Sequence, residues 1–65
     1  NTLEVVSKQR IEIIEKSENL INYFSDVQSS QYNYRLNFTN KVSLEKFRDK
    51  LSEEKNIEKI NVVLN

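Results

Sequence analysis

The sequence predicts an α+β domain, an open sheet of about three strands with two helices on one face. Three stretches carry that expectation. Tyr32–Thr39 alternates apolar and polar residues strictly, Leu44, Phe47 and Leu51 recur at helical spacing, and Ile60, Val62 and Leu64 alternate again near the end.

In chain order, the first thirty residues admit two readings. Val6, Ile13, Leu20 and Val27 repeat every seven positions with Ile14 and Ile21 beside them, the pattern of a long helix or a coiled-coil seam. Glu4–Lys8 and Glu12–Lys16 are correctly ordered i,i+4 pairs on such a helix. Arg10 and Ser17 interrupt the companion heptad position, however, and Arg10–Glu15 also reads as a strand followed by a helix from Glu18 to Ser29. Strand-then-helix is the preferred reading, because a two-stranded sheet makes a poor core. The alternative is a long N-terminal helix ahead of a single βαβ unit.

After a short polar connection, Gln28–Gln31, the alternation of Tyr32–Thr39 predicts a half-buried strand. Tyr32, Tyr34, Leu36 and Phe38 share one face, and Asn33, Arg35, Asn37 and Thr39 share the other. The aromatic face is the natural core in so small a chain. Asn40-Lys41 reads as a turn, Ser43 as an N-cap, and Val42 as a hydrophobic staple to Phe47, opening a helix over Leu44–Lys55. Lys50 and Glu54 are spaced to pair on its outer side, and Asn56 is placed to cap its end. Ile57–Leu64 closes the chain as a strand whose Ile57 and Val63 add apolar surface to the face opposite Ile60, Val62 and Leu64. Strand, helix and strand together predict a right-handed βαβ crossover. With no Gly and no Pro, the turns fall to Asn, Asp, Ser and Lys, with Asn favoured where a left-handed backbone is needed.

Composition excludes more than it assigns. Sixty-five residues allow one small domain, residues 1–65. The absence of Cys and His removes disulfides and ordinary zinc sites, so the core rests on large branched and aromatic side chains. Ten basic and ten acidic residues balance, which speaks against a polyanion-binding role and nucleic acid as partner. No apolar run reaches the ~20 residues that cross a bilayer, so no direct membrane insertion is expected. An Asn start with no leader pattern predicts a piece of a longer protein, cytoplasmic or on the cytosolic face of a membrane protein.

Candidate chemistry is sparse. Glu12, Glu15 and Glu18 lack the spacing of a calcium loop, and the seven serines have neither a histidine base nor a glycine-rich turn. Asn37-Phe38-Thr39 matches a glycosylation acceptor inside a predicted strand, where chance is the better explanation. These absences predict no enzyme, no cofactor and no metal. What is left is surface. Arg35, Ile57 and Val63 are the candidate partner interface, on strands whose edges would pair readily.

The order of elements resembles a regulatory ACT domain, a ferredoxin-like βαββαβ unit. Tyr34-Arg35-Leu36-Asn37-Phe38 resembles its third strand, Ser43-Leu44-Glu45-Lys46-Phe47 the opening of its second helix, and Asn56–Val62 its closing turn and strand. Similar tails end MgtC-type membrane proteins as cytosolic appendages. In the first half, Arg10–Glu15 would be strand one, leaving almost no room for a second strand between Val27 and Tyr32. The ligand loop's usual Gly position holds Glu18 or Asn19, so no ligand-binding residue carries over. The resemblance implies regulation or ligand sensing. Composition favours an accessory domain that associates with itself or with a larger parent protein, such as a membrane transporter's cytosolic tail; the alternatives are an ACT-like small-ligand sensing domain and a coiled-coil dimerisation module.

Overall fold

The computed structural model describes residues 1–64. Within them the chain runs β1 (Thr2–Ser7), α1 (Glu12–Glu15), β2 (Leu20–Asp26), β3 (Gln31–Asn37), α2 (Lys41–Leu51) and β4 (Ile57–Val63). The four strands form one sheet in the order β2-β3-β1-β4, and every neighbouring pair is antiparallel. The α+β class stands, with a fourth strand added to the expected three.

The register explains how so few residues make a core. Leu20, Leu36, Leu3 and Val62 lie in one row across all four strands, and Tyr23, Tyr34, Val5 and Ile60 form the next. These rows face the side where Ile11, Ile14, Leu44 and Leu51 are buried, with Phe38 and Phe47 packed among them. Strand alternation sends the intervening residues to the opposite, uncovered face. The expected burial of Tyr34, Leu36 and Phe38 is therefore met, and Tyr32 is partly buried beside them.

The N-terminal half departs most from expectation. No long helix forms; the heptad residues Val6, Ile13, Leu20 and Val27 fall in β1, α1, β2 and the following turn. Thr2–Ser7 becomes a central strand because Leu3, Val5 and Ser7 alternate inward and pair on both sides. Arg10–Glu15 is not a strand. Ile11 and Ile14 are both buried at helical spacing, and Ile11 O accepts from the Ile14 and Glu15 amides, so one helical turn covers the sheet. The expected Glu12–Lys16 pair forms at 2.6 Å on that turn, whereas Glu4, held in a strand, pairs with Arg35 instead of Lys8. The helix expected over Glu18–Ser29 is replaced by β2, which its aromatic and branched residues favour once β3 offers an edge. Asn19 fastens the start of β2 by accepting from Asn37 N at 2.8 Å and donating from Nδ2 to Asn37 O at 2.9 Å. Room for this strand comes from a tight hairpin, Val27–Ser30. Asp26 Oδ1 accepts from Gln28 N and Ser29 N, and Ser30, not an Asn, takes the left-handed position at φ 55°. Ser30→Gly removes the Cβ from that position and is expected to stabilise the domain by about 0.5–1 kcal/mol, read as a higher urea midpoint.

In the second half, β3 and β4 lie close to their expected bounds. They run in the same direction but do not touch as neighbours, because β1 lies between them and pairs with both. The simple βαβ unit is thus split. Helix α2 starts earlier than expected, since Asn40 rather than Ser43 is the N-cap and its Oδ1 accepts from Ser43 N at 2.8 Å. Val42 consequently sits in the first turn, exposed, and no staple to Phe47 arises. The helix also stops earlier, with Ser52 at its C-cap, so Glu54 lies beyond reach of a helical pair with Lys50; Lys41–Glu45, 3.8 Å apart, makes one instead. Asn56 leads into β4, its carbonyl accepting from Lys8 N at 2.9 Å. Asn40→Ala is expected to cost about 1 kcal/mol and Ser43→Ala much less, which thermal melts of the two variants compare directly.

Candidate interaction surface

The uncovered face of the sheet is built by the outward residues of all four strands. Asn22, Arg35, Glu4 and Asn61 form one row, and Phe24, Asn33, Val6 and Lys59 the next. Arg35 donates to Glu4 Oε2 at 2.7 Å and Asn61 Nδ2 donates to Glu4 Oε1 at 3.1 Å, so both carboxylate oxygens are held. Those hydrogen bonds, Arg35 first, lower the Glu4 pKa from the ordinary carboxylate value. Gln31 Nε2 reaches Glu58 Oε1 at 3.2 Å. A shallow depression of about 320 Å³ lies over this face, between Phe24 on β2 and Lys59 on β4.

The structure brings two of the three expected interface residues together. Arg35 and Val63 both lie on this open face, Val63 being exposed. Ile57 does not join them. An irregularity between Val6 and Ser7 places Ile57 opposite Ser7, on the core side, where it packs partly buried against the core. A strict alternation of β4 cannot foresee that shift, because it arises in the pairing with β1.

More telling is β2, which sequence reasoning assigned to a helix. It is an edge strand, pairing with β3 alone among the described residues. Ile21 is 60% exposed, Phe24 58%, and Val27 in the adjoining turn 87%. No charged residue lies between Glu18 and Asp26. The other edge, β4, carries Glu58 and Lys59, the kind of charge that discourages edge pairing. The signal for β2 was present in Leu20–Phe24, whose branched and aromatic residues favour a strand.

On the core side, β2 contributes Tyr23 to an aromatic stack. Its ring lies 5.1 Å from that of Tyr34 and 6.5 Å from that of Tyr32, both near parallel. The Tyr34 hydroxyl donates to Glu15 Oε2 at 2.7 Å and accepts from Ile11 N at 3.1 Å, tying α1 to the sheet. Burial and the Glu15 carboxylate push the Tyr34 hydroxyl up to about 12. Arg10, 2.7 Å from Glu15 Oε1, and the Tyr34 hydroxyl together lower the Glu15 pKa, Arg10 contributing more. No cluster of three or more metal-ligating side chains occurs among the described residues.

Depressed carboxylates set the acid behaviour. Glu4 and Glu15 keep lower pKa values folded than unfolded, so their stabilisation is present above the ordinary value of 4.5 and is lost as pH falls below it. Thermal melts are expected to show Tm falling as pH drops from about 5 to 3, with a shallower fall in Glu15→Gln.

The fold and this surface define a class, a small α+β domain with a four-stranded antiparallel sheet, two helices and an uncovered face. No protein-family model, no curated protein and no solved structure matches the chain. No helix among the described residues is long and apolar enough to cross a membrane.

Proposed function

We propose that the chain is a non-enzymatic accessory domain of ferredoxin-like architecture, cytoplasmic, which associates with itself or packs on a larger parent protein. The element order β-α-β-β-α-β and the sheet order β2-β3-β1-β4 support that architecture, since each helix joins two strands of like direction with a third inserted between them. An ACT-like kinship rests on the same order, although α1 is a single turn of four residues.

The observation that carries the functional reading is the bare β2 edge. Natural edge strands are blunted by charge, by proline or by cover, and an exposed apolar one is a site of association. Absence of His and Cys, and carboxylates engaged with Arg10, Arg35 and Lys16, leave little with which to catalyse. Sedimentation at micromolar to hundred-micromolar concentration tests the self-association arm, with a concentration-dependent mass above 7.8 kDa expected. A strict monomer that also shows no affinity for the rest of its parent protein would defeat the reading. The same topology favours ligand sensing as a second reading, which stabilisation by any amino acid in a thermal-shift screen would bring forward.

A further inference from the structure

Resting on that reading, we infer that the β2 edge pairs with the β2 edge of a second copy, antiparallel and two-fold symmetric about Phe24. The argument is one of self-complementarity. In an antiparallel pair centred on Phe24, the residue on either side at equal distance faces its counterpart. Phe24 then meets Phe24 of the other copy, Tyr23 meets Ser25, and Asn22 meets Asp26. The amide of Asn22 can donate to the Asp26 carboxylate, and by symmetry this contact occurs twice. One step further, Ile21 faces Val27, again twice.

This register matches every strongly exposed apolar residue of the edge, Ile21, Phe24 and Val27, with an apolar partner. It sets no like charges opposite each other, because Asp26 is the strand's only charged residue and falls against Asn22. Cross-strand aromatic and polar pairs of this kind are the units that stabilise sheets. The irregularity between Leu20 and Asn22 confines the new ladder to Asn22–Asp26, with Ile21 and Val27 closing its ends. A zero net charge removes the general repulsion between copies. Two four-stranded sheets would join into one of eight, with both uncovered faces on the same side.

Because the chain has no cysteine, engineered ones report cleanly. The two-fold axis places the two Phe24 Cα atoms about 4.5–5.5 Å apart, within the ~4.4–6.8 Å span of a disulfide. Phe24→Cys is expected to oxidise rapidly to a covalent dimer, and Glu58→Cys on the β4 edge is not. A mixture of Asn22→Cys and Asp26→Cys chains is expected to cross-link to each other far more than either does alone. Phe24→Lys, which puts like charges at the axis, is expected to weaken association on the order of tenfold or more, with the Tm of the dilute monomer unchanged. If the unmodified chain dimerises but Phe24→Lys dimerises equally and Phe24→Cys does not cross-link, the β2 register is wrong while self-association stands. Preferential cross-linking of Glu58→Cys would move the interface to β4. A strict monomer would overturn both this pairing and the self-association arm, leaving only the parent-packing reading.

Discussion

Leu36→Ala is expected to leave the chain largely unfolded at 25 °C. Leu36 has no exposed surface and stands in the row that crosses the whole sheet, between Leu20 on one side and Leu3 on the other. Truncating a buried Leu costs about 2–5 kcal/mol through lost burial and the cavity left behind. A chain of this size has roughly 3–10 kcal/mol in all. There is no disulfide or ordinary zinc site to make up the loss. Val27→Ala, at an exposed turn position, serves as the control and is expected to shift stability by no more than about 0.5 kcal/mol in the monomer. Urea titrations followed by circular dichroism compare the two. A Leu36→Ala midpoint within error of the parent would mean that this row is not the centre of the core.

Tyr34→Phe is the second large effect, and it isolates one hydroxyl. That oxygen is the acceptor for the buried Ile11 amide and the donor to Glu15, so its removal leaves a backbone N–H unsatisfied under α1. Stranding a buried donor costs about 1–3 kcal/mol, while the ring's packing against Tyr23 is retained. Hydrogen exchange at Ile11 is expected to quicken by more than exchange across β1, since the helical turn is released before the sheet. The alkaline limb supplies an independent check. Tyr34 holds its proton to about pH 12 when folded against about 10 unfolded, so the fold loses stability as pH rises through that interval. In Tyr34→Phe that decline is expected to flatten. An unchanged alkaline profile would show that another group causes it.

Both effects depend on α1 and β2, the part of the chain that periodicity misassigns. Seven-residue spacing of Val6, Ile13, Leu20 and Val27 suits a helix seam, but the same residues are spread over β1, α1, β2 and a turn. Local helical pairing was informative only where a helix exists, at Glu12–Lys16; Glu4, spaced equally well from Lys8, finds Arg35 across the sheet. Of the expected interface, Arg35 and Val63 reach the open face by simple alternation, and Ile57 is turned inward by a register irregularity that belongs to two strands jointly. The exposed β2 edge was invisible for a related reason. An edge is a position in a sheet, and no property of Leu20–Asp26 alone says which of its sides goes unpaired.

By itself the sequence determined the alternating strand around Tyr34 and Leu36, its buried aromatic side, the helix that follows, the closing strand, and the lack of residues suited to ordinary zinc or histidine-based chemistry. Those are properties of spacing and side-chain type, readable within about ten residues. Only the tertiary structure decided that Thr2–Ser7 is the central strand, that β4 lies beside it and not beside β3, and that β2 is left bare. The reason is that strand pairing joins residues far apart in the chain, such as Glu4 with Asn61, and its stabilisation comes from the partner's surface.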